Sequence, residues 1–289
     1  MFTAQWFRSG GFRCSPLNAE LGGNMKVCSF CKENKPLTRE HLWPASLHKR
    51  LYKVNELDRK YFWLEKNDKT IASEPKIKDV CADCNNGALS QLDTYICELF
   101  DQSFVHMPEK GESVVFKHDH NKLKRWLLKM SYNSARISNS PDLFALEVLI
   151  PYIMGTDDSL GGSVQLFLQL AYPQEVPPES NPDSIDNNPD SIDKLYPDIH
   201  RSGFVFFKVK GEGQKVLRAI HLRSYSFIIS YWPPGSSLWE QYDFASYYLN
   251  AYPTAIWLTE NTTSVEIECG AVGAYDSIKQ SRTTKLEFE

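Results

Sequence analysis

Two Cys-x-x-Cys pairs constrain this chain more than any other feature of its sequence. Cys28 and Cys31 form the first pair, and Cys81 and Cys84 form the second. Two thiolates at this spacing can reach one metal ion, and four thiolates complete the tetrahedral coordination of Zn²⁺. A zinc ion with four protein ligands has no open coordination position, so it would stabilise the fold without taking part in chemistry. The sequence therefore predicts a structural zinc site, with buried or redox-active thiols as the alternative.

The other cysteines indicate a reducing compartment. The chain has seven cysteines, and those outside the two pairs are Cys14, Cys97 and Cys269. Free thiols fit a reducing cytoplasm better than a disulfide-rich secreted fold, so we expect a cytoplasmic protein. Residues 1–24 lack the apolar segment of a signal peptide and are interpreted as a disordered extension, with Met25 as an alternative start.

Apolar content and charge further limit the class of protein. Hydrophobic residues make up 42% of the chain, which supports a packed core, but no apolar run is long enough for a transmembrane helix, so no membrane partner is expected. The net charge is −4, yet residues 25–84 carry 13 basic against 9 acidic side chains and residues 117–136 carry 6 against 1. A basic N-terminal half favours binding to a phosphate backbone, and ordinary solvated surface is the alternative.

Hydrophobic periodicity predicts different secondary structure in the two halves of the chain. In the first half it predicts helices over 45–57, 87–103 and 122–136 and short strands over 37–42, 60–64, 77–80 and 114–117. The lysines and arginines of the 122–136 helix are expected on its outer side. In the second half β-branched and aromatic residues predict strands over 146–154, 164–172, 203–210, 220–232 and 255–259.

These patterns divide the chain into an N-terminal domain over 25–142 and a β-rich C-terminal domain over 143–289. The second domain contains an acidic stretch, 173–198, with 1 basic and 7 acidic residues and a duplicated Asn-Pro-Asp-Ser-Ile-Asp sequence. Its composition is typical of a surface loop or linker. No catalytic group is apparent in the C-terminal domain.

Between the two cysteine pairs lies Glu40-His41-Leu-Trp-Pro44, and Asn85-Asn86-Gly87 follows the last cysteine. In this order the residues of 27–100 resemble the HNH (ββα-metal) endonuclease family, in its zinc-stabilised subgroup with two Cys-x-x-Cys knuckles. The resemblance implies an α+β protein whose N-terminal domain has a ββα-metal core with added helices. Without the resemblance, Glu40 and His41 would be a salt-bridged surface pair, and the two asparagines would cap the following helix.

The resemblance also implies the roles of these residues in phosphodiester hydrolysis. His41 would be the general base, because an imidazole that titrates near pH 6.5 can accept a proton from water. Glu40 would be one ligand of a catalytic Mg²⁺ or Mn²⁺ ion, and Asn86 would be the second. Ser90, one helical turn later, is a weaker candidate for the same ion.

The chain departs from the family pattern at three points. Cys31 and Cys81 are further apart than in compact zinc ribbons, so an insertion around 46–72 is expected on the core. Asn86 stands where the family often has histidine. The family's central asparagine has no clear match, and Asn67 is the residue that we expect to take its bracing role.

The sequence leaves two classes of function open. The first is a metal-dependent HNH endonuclease that cleaves DNA, and the resemblance suggests a role in antiviral defence. The second is a non-catalytic, zinc-stabilised module that binds nucleic acid or protein. The C-terminal domain could add self-association or docking of a protein partner such as an ATPase subunit.

Overall fold

The computed structural model describes residues 26–55, 62–64, 69–71, 74–176, 193–198, 200–209, 213–233, 236–270 and 272–277. The predicted extension, Cys14, Asn67 and residues 177–192 of the acidic stretch lie outside these ranges. Helices and strands are both abundant, so the predicted mixture of the two is confirmed. Within the described residues, no helix combines the length and the apolar character needed to cross a membrane.

The two cysteine pairs are joined through a short antiparallel sheet. Its strands are β1 (Leu37–His41) and β4 (Lys76–Cys81). Helix α1 (Ala45–Val54) and a hairpin of β2 (Phe62–Leu64) and β3 (Lys69–Ile71) lie between them in the chain. The chain leaves β4 directly into α2 (Ala82–Asn86) and α3 (Ala88–Leu99), so one pair of strands is followed by helix.

A long helix, α4, lies at the centre of the molecule. It follows β5 (Ser113–Lys117) and runs over His120–Ser138, with Asp119 capping its start by accepting a hydrogen bond from Lys122 N. Asn139 ends it in the left-handed conformation, at φ 52°. Helix α4 packs against α3, against α5 (Leu143–Val148) and α6 (Ile150–Met154), and against the C-terminal sheet.

The C-terminal half is built on a six-stranded sheet. The elements of this half are β6 Val164–Tyr172, β7 Gln174–Val176, β8 Asp193–Leu195, β9 His200–Val209, β10 Gly213–Leu222, β11 Tyr225–Tyr231, α7 Leu238–Ala251, β12 Ile256–Leu258, β13 Ser264–Glu268 and β14 Val272–Gly273. Five strands of the sheet lie in the order β12-β6-β11-β10-β9, and β14 pairs with β6 in parallel. Strands β7 and β8 form a separate pair.

The N-terminal and C-terminal parts share one hydrophobic core. The predicted boundary at residue 142 falls between α4 and α5, yet β5 pairs with β13 from near the C-terminal end. The main buried cluster runs from Cys28 to Cys269 and includes residues of α3, α4 and the sheet. Side chains of both parts are therefore packed together around α4.

Two secondary-structure predictions and one prediction of exposure for these segments are wrong. Residues 146–154 form parts of α5 and α6 rather than a strand. Both helices pack against α4, and this tertiary contact outweighs the strand-like composition of the segment. The strand predicted over 220–232 is interrupted by a tight turn in which Arg223 has φ 53°. Lys124 and Lys129 of α4 are 2% and 1% exposed rather than solvated, because this helix is covered on several sides.

Candidate metal centre and adjoining pocket

The first cysteine pair lies in a tight turn that closes on itself. Cys28 N donates to Glu33 O at 2.9 Å, and Lys32 N donates to Cys28 O at 3.0 Å. Lys32 adopts φ 59°, which brings the chain back after Cys31. The second pair lies at a strand–helix junction, since Cys81 ends β4 and Cys84 lies in α2.

The four Sγ atoms form a compact cluster with the dimensions of a zinc site. All four lie within 4.8 Å of one another. Cys28 Sγ lies 3.9 Å from Cys84 Sγ, and Cys31 Sγ lies 3.8 Å from Cys81 Sγ. Zn–S bonds of about 2.3 Å in a regular tetrahedron place neighbouring sulfurs about 3.8 Å apart. The cluster could therefore hold a zinc ion, as the spacing of the two cysteine pairs predicts.

The electrostatics of the cluster also favour a cation. Burial acts to raise the pKa of Cys28, but hydrogen bonds from the backbone N–H groups of Cys81, Cys31 and Phe30 lower it to about 7. Cys81 N donates to Cys28 Sγ at 3.3 Å. Burial and the neighbouring sulfurs raise the pKa of Cys84. Four thiolates so close together need a compensating positive charge, which Zn²⁺ supplies.

The described cysteines outside the cluster are free thiols, as predicted for both. Cys97 and Cys269 are buried and form no disulfide. Ser46 Oγ lies 3.2 Å from Cys97 Sγ, and the thiol of Cys269 donates to Pro108 O. Neither lies in the four-cysteine cluster.

A pocket of about 220 Å³ lies where β1, α1 and α3 meet. It is lined by Arg39, Glu40, His41, Pro44, Ala45, Ser46, Asn85, Ser90, Asp93 and Thr94. Most of these side chains carry oxygen or nitrogen, so the pocket is polar. It contains three of the residues that the sequence singled out, namely Glu40, His41 and Ser90.

Asn85 lines this pocket, whereas Asn86 is exposed and does not. Asn85 Nδ2 donates to Thr38 Oγ1 at 3.1 Å, which ties α2 to β1. The alternative reading of these residues as caps is wrong, because both belong to α2 and Gly87 precedes α3 without a side-chain cap. A Cβ at Gly87 would lie 2.5 Å from Asp83 O, so glycine permits the tight junction between the two helices.

His41 is paired with an acidic residue that is distant from it in the sequence. Its Nδ1 lies 2.8 Å from Oε2 of Glu74, which comes just before β4. The Nδ1–H group does not point directly at the carboxylate oxygen. The two groups are therefore within ion-pair distance but do not form a well-aligned hydrogen bond. His41 is 27% exposed and Glu74 is 14% exposed, so the pair lies at the edge of solvent. Neutral His41 with its proton on Nδ1 would have Nε2 free as a base.

Glu40 is almost fully buried and has a different partner. Its side chain is 6% exposed, and Oε1 lies 2.9 Å from Lys129 Nζ of α4. Lys129 also contacts Asp93, which lies on α3 and lines the same pocket. Glu40 and His41 are thus neighbours in sequence with separate partners, and they are not the surface salt bridge considered as the alternative.

Oxygen donors suitable for a hard cation lie in the pocket, but they do not form a closed site. Among the described residues, the cysteine cluster is the sole group of three or more His, Cys, Asp or Glu with ligand atoms within 4.8 Å of one another. Mg²⁺ usually takes only one or two carboxylates from the protein and completes its shell with water and phosphate. The pocket, with Glu40, Asp93 and the amide of Asn85, fits that requirement.

Sequence reasoning missed Glu74, Asp93, Lys129 and Asn85 as members of the site. Glu74 and Lys129 lie far from the motif residues that they contact, and no local pattern marks them. Asn85 carried a signal, since it directly follows the second cysteine pair. His48 of α1 is fully buried, and its ring lies against those of Tyr52 and His200.

Comparisons with known proteins identify no family for this chain. No model of a known protein family matches the chain, and searches of curated proteins and of solved structures also return no match.

Proposed function

We propose that this protein is a metal-dependent endonuclease of the HNH type that hydrolyses phosphodiester bonds in DNA. The observation that carries the proposal is the convergence of Glu40, His41 and Asn85 in one polar pocket beside four clustered cysteines. The chain order of β1, β4 and the α2–α3 helices supports it, because it matches the order of elements that the resemblance implies.

His41 supplies the general base in this proposal. Its Nε2 takes a proton from a water molecule as the water oxygen attacks phosphorus, and the bond from phosphorus to the 3′ oxygen breaks. Glu74 holds the other side of the ring and stabilises the imidazolium that forms. The protonated leaving oxygen departs as a hydroxyl group, with solvent as the proton source.

Glu40 and Asn85 hold the divalent ion in this proposal. Mg²⁺ or Mn²⁺, when bound, would neutralise charge on the leaving oxygen and on a phosphate oxygen. Asn85 takes the ligand role that the sequence favoured for Asn86, because Asn85 lines the pocket and Asn86 is exposed. With Nδ2 of Asn85 donating to Thr38, its amide oxygen is left for another partner.

A basic face beside the pocket would bind the phosphate backbone. Lys76 pairs with His41 across the β1–β4 sheet, so the two side chains lie on one face. Lys78, two residues further along β4, lies on the same face, and both lysines are exposed. Arg39 lines the pocket itself. This positive face is the local counterpart of the excess of basic residues in 25–84.

Charge reversal at Lys76 and Lys78 together is expected to weaken DNA binding without loss of zinc. The logarithm of the DNA-binding constant falls as the logarithm of salt concentration rises, and each lysine that contacts a phosphate adds about 0.9 to the steepness of that fall. The slope of the double variant should therefore be less steep by about 2. Binding measured by fluorescence anisotropy over a range of salt concentrations tests this. The matched control is Lys110→Glu with Lys194→Glu, which makes the same charge change beside Tyr172 and Glu109. Equal weakening in both double variants would contradict a dedicated binding face.

Replacing Glu74 by glutamine is expected to lower turnover by roughly 10- to 100-fold, less than loss of the base itself. Glutamine keeps the size of the side chain but cannot stabilise a positive imidazolium at 2.8 Å. The single-turnover rate with saturating DNA measures the effect, and Glu33→Gln, which removes an exposed partner of Lys35, is the control. An unchanged rate for Glu74→Gln would remove Glu74 from the mechanism.

The proposed activity is tested with the purified, zinc-loaded protein and supercoiled plasmid in the presence of Mg²⁺ or Mn²⁺. We expect nicked or linear DNA with the divalent ion and intact plasmid with a chelator that leaves the zinc in place. Retention of plasmid or RNA without any cleavage would favour the zinc-stabilised binding module.

A further inference from the structure

Lys129 is buried at the point where the pocket meets helix α4. Its side chain is 1% exposed. Nζ donates to both carboxylate oxygens of Asp93, at 2.8 and 2.7 Å, and lies 2.9 Å from Glu40 Oε1. All three of its donors are thus used on two acidic side chains that line the pocket.

The charge of Lys129 is maintained by these two carboxylates. Its Nζ lies 2.7 Å from Asp93 Oδ2 and 2.9 Å from Glu40 Oε1, so both acidic groups are close enough to offset the cost of burying the ammonium ion. A buried ammonium ion without partners is strongly disfavoured, so its position is fixed by the acids that surround it. Trp126 Nε1, one turn earlier on α4, donates to Asp93 Oδ1 at 3.3 Å and further restrains that carboxylate.

A second buried lysine on the same helix provides a comparison, because its partners lie outside the pocket. Lys124 is 2% exposed and donates to Gly161 O at 3.0 Å and to Glu260 Oε1 at 3.2 Å. None of these partners lines the pocket. The two lysines are similarly buried on one helix but bind different groups, and of the two only Lys129 contacts Glu40.

We propose that Lys129 is a positioning residue that fixes the carboxylate of Glu40 in the orientation needed to hold the divalent ion, while Asp93 is the second acid that holds Lys129 in place. This inference rests on the proposed function, in which Glu40 is a ligand of that ion. It extends the site beyond the segment that resembles the endonuclease family, because Lys129 comes from α4. Packing of α4 against α3 then becomes a requirement for an ordered pocket.

The first test compares Lys129→Met with Lys124→Met by the affinity for Mn²⁺, measured by calorimetry on zinc-loaded protein. Loss of a group that orients a metal ligand typically costs 10- to 100-fold in affinity, so Lys129→Met should bind Mn²⁺ at least about tenfold more weakly. Lys124→Met should bind as the wild type does. The double variant Lys129→Gln with Asp93→Asn removes one charge of each sign, which favours folding, and should also bind Mn²⁺ more weakly.

The second test separates positioning from general destabilisation. In a Glu40→Gln background, Lys129→Met should cause no further loss of Mn²⁺ affinity, because its effect is transmitted through Glu40. An equal loss in both backgrounds, or unchanged affinity in a folded Lys129→Met variant, would overturn the proposal. If one of these two results is found and the wild type still cleaves DNA, the proposal for Lys129 fails but the proposed function stands. If the wild type neither binds Mn²⁺ nor cleaves, the proposed function itself fails.

Discussion

Replacing Cys81 by serine is expected to remove bound zinc and to unfold the N-terminal part of the chain. Structural zinc contributes on the order of 10 kcal/mol of binding free energy, whereas whole domains are stable by only about 5–15 kcal/mol. Cys81 connects β4 to α2, and its Sγ lies 3.8 Å from Cys31 Sγ of the first pair, so loss of this thiol disturbs both cysteine pairs. Zinc content by atomic emission and thermal unfolding by circular dichroism measure the two effects.

Cys97→Ser provides the matched control for this prediction. Cys97 is also buried, on α3, but it lies outside the cluster. We expect it to retain one zinc per chain and a cooperative unfolding transition. Full zinc content and wild-type stability in Cys81→Ser would show that the cluster is not a zinc site.

Replacing His41 by alanine is expected to lower the rate of DNA cleavage by about 10²–10⁴-fold, the usual contribution of a general base. His41 lies at the edge of solvent and outside the cysteine cluster, so its truncation should leave the fold and the zinc intact. The rate is measured under single-turnover conditions with a labelled DNA duplex and Mg²⁺. Zinc content and DNA affinity are measured on the same samples.

His106→Ala is the control for the histidine variant. His106 is an exposed residue paired with Glu112 at 2.6 Å, and it lies outside the pocket. Its loss should leave the cleavage rate unchanged. An equal rate for His41→Ala and the wild type would remove the general base from the proposal, whatever the zinc content.

The features that sequence predicted well are those marked by local pattern. The spacing of the cysteine pairs predicted the cluster because ligand spacing depends on a short stretch of backbone. Strand β1, helix α1 and helix α3 followed from the periodicity of their apolar residues. Of the residues that the motif singled out as candidates for the catalytic site, Glu40, His41 and Ser90 line one pocket, whereas Asn86 does not.

The features that sequence could not predict depend on which elements pack together. Lys129 follows the pattern of a solvated helix face, yet α4 is covered by neighbours and the lysine is buried between two acids. Residues 146–154 have a strand-like composition, but packing against α4 selects helices. Glu74 reaches His41 only because β1 and β4 pair in one particular register. A single sequence does not specify these long-range contacts.

Paramagnetic Mn²⁺ gives the most direct test of whether Glu40 and His41 face the same divalent ion. The imidazole signals of the chain are observed by NMR, and those of His41 are identified by their loss in His41→Ala. Substoichiometric Mn²⁺ should broaden the His41 signals in the zinc-loaded wild type, spare those of buried His118 and His120, and broaden none of them in Glu40→Gln. Unchanged His41 signals, or equal broadening with and without Glu40, would contradict a catalytic ion held between these two residues.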